Sequence, residues 1–322
     1  MFSRYLLRRL LHSALLLTAV SAVSFVLIDI APGDYFDEAR VNPRLSPQTV
    51  AALRSEFGLD RPLAIKYGAW MWAVARGQLG LSIAYNMPVR DLIGARMLHT
   101  LMLTGPALML SWALAIPLGL WMAARPGGFV DRAGTLATNA ILAIPEVVAA
   151  CLVLLLAVRT GLLPSGGMTS AGFEQFSLAQ QAWDLFRHMV GPVGILVLAA
   201  LPILIRHTRT AGIEASESAF LRAARALGIG EWRLFSHYVF RVAANPLASL
   251  FGLSIGGLLS ASLLVEVVLG WPGLGPLFLE AISGRDVFVV LATVLCSSAV
   301  TIGGALVGDV LLYWCDPRIR EL

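Results

Sequence analysis

The chain has 322 residues, of which 57% are hydrophobic and only 14% are charged, and its formal net charge is +4. A water-soluble domain carries about 25% charged residues, so this composition excludes an ordinary soluble enzyme or binding module and indicates an integral membrane protein. The basic residues are spread between apolar blocks, which favours a role in membrane orientation over nucleic-acid binding.

Six apolar stretches have about the 20-residue length that a helix needs to cross the hydrocarbon core. They cover residues 10–30, 100–123, 133–158, 189–205, 245–268 and 288–313. The first follows Arg4, Arg8 and Arg9, as the apolar core of a cleaved signal peptide also would, but its uninterrupted length favours a retained span. The fourth is short and contains Pro192 and Pro202, so the pattern leaves its ends open.

The loops between these stretches differ in charge. Residues 124–132 and 206–244, together with both termini, hold many arginines, whereas residues 159–188 and 269–287 hold three. Basic residues accumulate in the cytoplasmic loops of membrane proteins. We therefore predict six spans with both termini in the cytoplasm.

Residues 31–99 form a long segment that this orientation places outside the cell membrane. It combines turn signals with short helical patterns around residues 51–57 and 65–75. Four aromatic residues suit packing at the membrane interface: Tyr67, Trp70, Trp72 and Tyr85. Docking of an external partner is a second interpretation, and the two are compatible.

The sequence around two possible enzyme motifs does not support an enzymatic function. Ser254 lies in a Gly-x-Ser-x-Gly pattern, but within a continuous apolar span and without a histidine predicted at mid-membrane. Small residues four apart more simply let helices approach closely, and Gly304 and Gly308 repeat the spacing. A phosphate-binding Walker loop needs a Gly-Lys pair, and the one lysine, Lys66, follows isoleucine.

Four acidic residues lie in or near the spans: Asp29, Glu146, Glu266 and Asp309. Such residues are costly in a membrane and mark functional sites by default. Three of them lie near predicted span ends, where headgroups and water relieve the cost. Glu146 is predicted midway along the third span, where it either lines a polar pathway or bonds to a neighbouring helix.

Residues 206–244 are basic and amphipathic. Ser216 or Ser218 is a suitable cap for a helix that runs to about Leu227. Its spacing predicts one apolar face: Phe220, Ala223, Ala224 and Leu227. Arg222 and Arg225 lie away from that face.

Gly228 and Gly230 then interrupt the helix. A second helix is predicted to follow, with Trp232, Phe235 and Tyr238 along one side. The pattern alone is compatible with an amphipathic segment held by anionic lipid and with docking into a groove on a cytoplasmic partner.

The stretch FLRAARALG, residues 220–228, resembles the EAA loop of permease subunits in ABC importers of the dipeptide, oligopeptide and nickel group. Phe220 stands where the group has tyrosine, and Leu227 where it has lysine. His237 comes one residue earlier than in the group, which predicts a local shift in the second helix. The direct matches are Arg222, Ala224, Arg225, Ala226 and Gly228.

Other stretches resemble the B-type subunit of this group in the correct order. They are the first span with its Pro-Gly-Asp turn (residues 32–34), the outer stretch from Phe57, GLLPSGG (161–167), Pro-Gly-Leu-Gly (272–275) and the ending Asp-Pro-Arg-Ile-Arg (316–320). Gln78 replaces the usual aspartate, and Glu146 replaces a small residue after proline. The second difference leaves the substrate class open.

The resemblance implies an all-α integral membrane protein with six transmembrane helices and the type I ABC importer permease fold. Residues 1–30 would form the cytoplasmic N-terminus and first helix, and 31–99 an extracytoplasmic segment. Residues 100–314 would form a five-helix core that includes a coupling loop at 206–244, and 315–322 a cytoplasmic tail.

The resemblance also implies function and partners. The chain would be a non-enzymatic permease subunit in a bacterial or archaeal cytoplasmic membrane, importing peptides or a similar small solute. ATP and magnesium would bind to separate subunits, with no cofactor or metal on this chain. The partners would be a second permease, two ATPases, an external solute-binding protein and membrane lipid, but no nucleic acid.

Nickel complexes and oligosaccharide-like solutes are alternative cargoes. A secondary transporter or an intramembrane enzyme is the alternative of another class, but the first needs repeats around a midplane ion site and the second a nucleophile or metal cluster.

Two sites follow from the resemblance. The residues of the loop that would contact the ATPase or fix its angle are Phe220, Arg222, Ala223, Ala224, Arg225, Leu227 and Gly228. Glu146 is the candidate for the translocation pathway.

Overall fold

The computed structural model describes residues 2–30, 62–82, 84–230 and 233–315. Several predictions concern residues outside this part of the chain. They are the turns and the helical pattern within residues 31–61, the position of Trp232 on one side of the second loop helix, and the Asp-Pro-Arg-Ile-Arg ending at 316–320. Among the described residues, regular structure is helical apart from one short antiparallel hairpin. Its strands are β1 (Leu81–Ser82) and β2 (Met87–Pro88).

The described helices follow in chain order as α1 (Phe2–Ile30), α2 (Leu63–Ala75), α3 (Val89–Ala124), α4 (Phe129–Leu142), α5 (Glu146–Thr160), α6 (Leu178–Ser216), α7 (Ala219–Ala226), α8 (Phe240–Leu269), α9 (Leu274–Ser283) and α10 (Val287–Cys315). In the described part, five helices are long and apolar enough to cross a membrane, and α4 with α5 would make a sixth span. This agrees with the predicted all-α fold and its span count.

The third predicted span is broken. Helices α4 and α5 meet at an angle of 87°, so the expectation of one continuous helix over residues 133–158 was wrong. Pro145 has no N–H to donate and disfavours a helical conformation at the residue before it. Glu146 therefore lies in the first turn of α5 and not in the middle of a helix.

The fourth predicted span was too short. Helix α6 has 39 residues and contains both Pro192 and Pro202, because neighbouring helices let a membrane helix tolerate proline. The loop predicted over residues 206–244 correspondingly begins inside α6 and ends inside α8.

The described chain divides into two compact units. The first comprises Met1–Arg9, Thr100–Pro272 and Val300–Leu322. Its core joins α3, α5, α6 and α8, with α6 and α8 packed along each other. Trp112 on α3 donates a hydrogen bond of 3.0 Å from Nε1 to Oγ of Ser254. The serine of the formal hydrolase motif is thus a partner in helix packing.

Glycines form a close seam between α8 and α10. A Cβ atom on Gly252 would lie 2.7 Å from the carbonyl oxygen of Gly304, and one on Gly308 would lie 2.9 Å from that of Ala248. Small residues of this kind let helix backbones approach in membranes. The predicted packing role of both glycine pairs is confirmed.

We expect Gly252→Ala to destabilise the protein by about 1–3 kcal/mol, as overpacking does, because its Cβ meets backbone that cannot rotate away. Gly257 on the same helix has nothing within 4 Å of the position that a Cβ atom would take, so Gly257→Ala should be neutral or stabilising by up to about 1 kcal/mol. Thermal unfolding in detergent compares the two. Equal behaviour of both variants would contradict a tight seam.

The second unit comprises Leu10–His99 and Gly273–Ala299. Trp70 on α2 is buried against Phe25 and Leu291, and α2 confirms the helical pattern predicted around residues 65–75. Asp286 accepts a hydrogen bond of 2.6 Å from Ser82 on β1. Tyr85 donates one to Glu280, and burial together with that bond raises the pKa of its phenol.

The acidic residues near span ends have different environments. Asp29 forms an ion pair with Lys66, and Asp309 forms one of 2.9 Å with Arg9. Glu266 is fully buried inside the first unit, so the expectation that water or headgroups relieve its cost was wrong. It lies one turn before the end of α8, but the surrounding protein covers it.

Candidate functional site

Helix α7 connects the end of α6 to the segment before α8. The hydroxyl of Ser218 accepts a hydrogen bond of 3.4 Å from the N–H of Leu221 and caps α7. Ser216 instead donates to the carbonyl of Gly212 and belongs to α6. Of the two predicted caps, Ser218 is therefore the one that begins this helix.

The inner face of α7 is anchored to the first unit. Leu221 and Ala224 are buried on this helix. They belong to a buried cluster with residues from the end of α3, the end of α6 and the segment before α8. These residues are Ala123, Ala215, Leu234, Phe235 and Val239. A short helix gains its stability mainly from such packing. Three segments of the chain therefore stabilise the position of α7.

The outer face of α7 is apolar and exposed. Leu227 is 82% exposed and Phe220 is 59% exposed, and Ala223 between them is exposed too. Phe220 also contacts the ring of Tyr238, with 5.9 Å between centroids. The prediction of one apolar face was therefore wrong for Ala224, which the cluster around Leu221 buries.

The two arginines of α7 are exposed at its sides. Arg222 and Arg225 both lie on the surface, outside the buried cluster, as the sequence predicted. They place positive charge beside the exposed apolar residues. Such a surface combines hydrophobic contact area with charge that can select an acidic partner.

Gly228 ends α7 in a left-handed conformation, with φ of 77°. Its N–H donates to the carbonyl of Arg225 at 2.9 Å, and the N–H of Ile229 donates to that of Ala224 at 3.4 Å. This pair of bonds is a Schellman motif, which uses glycine because a side chain is strained at that φ. Gly228 thus sets the direction in which the chain leaves α7.

The predicted second helix of the loop is a π-helical turn, Leu234–Val239, that runs directly into α8. The prediction that a second helix follows the glycines is confirmed, and this helix continues without a break as the fifth span. Phe235 and Tyr238 contact the same buried cluster, which agrees with the prediction that they share one side of this helix.

Glu146 lies elsewhere, in the first turn of α5 beside the break in the third span. It is partly exposed, and residues 142–145 before it are exposed. The structure thus gathers the seven loop residues around one short helix and its cap, and places Glu146 on a different helix.

The sequence pattern did not predict an ion pair that lies in the first unit. Asp131 on α4 is only 4% exposed. It accepts two hydrogen bonds from the guanidinium of Arg209 on α6, one of them 2.8 Å from Nη2, and one of 2.8 Å from the N–H of Gly127. A signal existed, because both charged residues border apolar stretches, but nothing in their spacing pairs them.

Comparisons with known families match nearly the whole chain. The family described as "Binding-protein-dependent transport system inner membrane component" matches residues 115–321. The N-terminal family of the same membrane components matches residues 1–104.

Curated relatives match over similar lengths. The chain is 32% identical to the oligopeptide transport system permease protein AppB of Bacillus subtilis, over 98% of this chain and 99% of that protein. It is 32% identical to a putative peptide permease protein of Brucella suis, over 98% and 99%. It is 30% identical to the oligopeptide transport system permease protein OppB of Mycobacterium tuberculosis, over 99% of each chain.

A solved structure shares the fold. A chain of the inward-facing MetNI methionine ABC transporter aligns with a TM-score of 0.51 at 18% identity, covering 70% of this chain and 96% of that one.

Proposed function

Because the chain belongs to the family of binding-protein-dependent transport system inner membrane components, we propose that it is the permease subunit through which an ATP-driven importer moves peptides across the inner membrane. The family is one of non-catalytic transport subunits with several membrane-spanning helices. The peptide substrate is supported by the names of relatives that match over nearly their whole length. Nickel complexes and oligosaccharide-like solutes are the alternative substrates, and an uptake experiment has to compare them with peptides.

The family description implies a binding protein and ATPase subunits as partners. We extend this to a second permease chain, two ATPase subunits with ATP and magnesium, and the surrounding lipid. In this arrangement both termini and the loop around α7 face the cytoplasm, and residues 31–99 face outward toward the binding protein. The arginine distribution of the loops supports that orientation.

The exposed outer face of α7 carries the proposal. Phe220, Ala223 and Leu227 leave an apolar surface uncovered on a helix whose other face is firmly packed. An amphipathic helix of this kind fits an apolar groove on a partner, and the partner proposed is the ATPase. Arg222 and Arg225 would meet acidic residues at the rim of that groove.

The anchoring of α7 gives the docking a mechanical consequence. A coupling element passes free energy only if its contacts differ between two states of the complex. Movement of the ATPase would displace α7, and the cluster of Leu221 and Ala224 with residues of α3, α6 and α8 would carry that displacement to the spans. Gly228 would hold the angle between α7 and the segment that leads into α8.

The break before Glu146 supports a place on the translocation path. Irregular backbone at membrane depth occurs only where protein covers it or where it borders a water-filled cavity. Residues 142–145 are exposed on this chain, so the second permease or the aqueous path would have to face them. The Glu146 carboxylate there would attract the ammonium group of a peptide.

We expect Glu146→Gln to lower peptide uptake about tenfold, since the loss of one hydrogen bond to a charged group costs roughly 1.5–3 kcal/mol. Assembly and ATP hydrolysis should be unchanged. Uptake into proteoliposomes is measured for a peptide with a free amino terminus and for its acetylated form. A pathway role would be contradicted if the variant kept normal uptake of the free peptide.

Isolation of the tagged chain from its native membranes in mild detergent tests the proposed function. We expect a second permease and ATPase subunits to come with it, and the isolated complex to take up peptides in proteoliposomes when binding protein and ATP are supplied. Isolation of the correctly inserted chain alone would contradict the proposal. Uptake of a nickel complex or oligosaccharide instead of peptides would correct its substrate class.

A further inference from the structure

We propose that Asp131 and Arg209 form a latch that makes the broken third span move together with the helix that carries the coupling element. The inference rests on the proposed function, and it assigns a positioning role to two residues that lie outside the exposed face of α7 and are distinct from Glu146. It is carried by the position of the ion pair between α4 and α6 and by the packing around it.

The ion pair is built for a fixed geometry. Arg209 donates from two nitrogens to the two oxygens of Asp131, and the N–H of Gly127 donates to the same carboxylate. A bidentate arginine–carboxylate pair fixes orientation as well as distance. Asp131 is in the first turn of α4, so the pair holds the beginning of that helix against α6.

The α6 end of the latch is close to α7. Arg209 lies seven residues, about two helical turns, before Ser216, the last residue of α6. Close packing ties this end of α6 to α3, because a Cβ atom on Gly212 would lie 2.8 Å from that of Ala123. Ala123 and Ala215 both belong to the cluster that buries Leu221 of α7. A displacement of α7 therefore moves the segment that holds Arg209.

The α4 end of the latch leads to the break. Helix α4 has 14 residues, a length of about 21 Å, and Glu146 follows it after three residues. Helix α4 also packs closely on α3, since a Cβ atom on Gly134 would lie 2.6 Å from Sδ of Met122. That contact is with a flexible side chain and allows sliding, whereas the ion pair does not. Helices α4 and α6 also pack against each other, and the latch adds to this packing a connection of fixed direction from the coupling end of α6 to the break beside Glu146.

The test replaces both partners, so that no buried charge is left alone. Removal of one member of a buried pair destabilises a protein strongly, but apolar residues of similar volume in place of both are often tolerated. The test variant is Asp131→Leu with Arg209→Met. The matched control is Arg9→Met with Asp309→Leu, which removes a partly exposed ion pair between α1 and α10.

Both variants are isolated with their partner subunits and reconstituted, and peptide uptake per ATP hydrolysed is measured beside assembly. We expect the test variant to assemble and hydrolyse ATP, with uptake per ATP reduced about tenfold, within the ~5–150-fold range of typical coupling effects. The control should stay within about twofold of the unmodified chain, as expected for a partly exposed ion pair. A test variant with normal uptake per ATP would overturn the latch.

If the double variant does not assemble, Arg209→Lys decides. Lysine keeps the charge but cannot donate two parallel hydrogen bonds to one carboxylate. The latch therefore predicts an assembled complex with reduced uptake per ATP, and normal coupling in that variant would overturn it.

The unmodified chain separates the two proposals. If it shows no uptake at all, the proposed function fails, whereas uptake by that chain and by the test variant at equal efficiency rejects the latch alone.

Discussion

Gly228→Val is expected to abolish most peptide uptake while the chain still inserts and folds. Gly228 has a φ of 77°, and a side chain there costs about 1–2 kcal/mol, with a β-branched residue still less tolerated. The Schellman motif should open to relieve this strain, and α7 would then leave its fixed angle to the segment before α8. We expect ATP hydrolysis to lose its stimulation by binding protein and substrate.

Gly230→Val is the matched control for this variant. Gly230 lies two residues away, has nothing within 4 Å of a Cβ position, and is not among the glycines of positive φ. It should therefore support normal uptake and normal stimulated hydrolysis. If Gly228→Val also kept both activities at normal levels, the coupling role of the loop would be wrong.

Leu227→Asp is expected to weaken the association with the ATPase by at least about tenfold, the effect of 1.4 kcal/mol. Leu227 is the most exposed apolar residue of the α7 surface, at 82%. Full burial of a leucine side chain contributes roughly 1.5–3 kcal/mol, and an aspartate in the same groove would add a desolvation cost. The amount of ATPase that remains bound to the tagged chain during washing measures the effect.

Leu178→Asp is a suitable comparison, because Leu178 is similarly exposed but lies at the first position of α6. An acidic residue is favourable in the first turn of a helix, so this variant should keep its ATPase. Folding of Leu227→Asp itself should be unaffected, since the side chain has little contact with the rest of the chain. Full retention of ATPase by Leu227→Asp would place the docking surface elsewhere.

Hydropathy predicted the spans well because membrane helices satisfy their own backbone hydrogen bonds and need only an apolar exterior. The limits came from residues whose effect depends on tertiary context. Pro192 and Pro202 lie inside α6, whereas Pro145 lies at the break between α4 and α5. The sequence around each proline does not distinguish the two outcomes, since neighbouring helices decide whether the lost hydrogen bond is tolerated.

The candidate site was predictable to the extent that it is local. Ser218, the helix after it and Gly228 follow from capping rules and from the conformational freedom of glycine. The inward turn of Leu221 and Ala224 was not predictable, because it depends on Ala123 and Ala215 from other helices. The pairing of Asp131 with Arg209 joins residues 78 positions apart and likewise required the fold.

The π-helical turn before α8 has a consequence for how this segment tolerates changes of length. One extra residue in a regular α-helix would rotate every later side chain by about 100°, since each turn holds 3.6 residues. A π turn absorbs that residue locally. Insertions or deletions of single residues near Leu234–Val239 can therefore accumulate during evolution, while Gly252 and the rest of the fifth span keep the same neighbours.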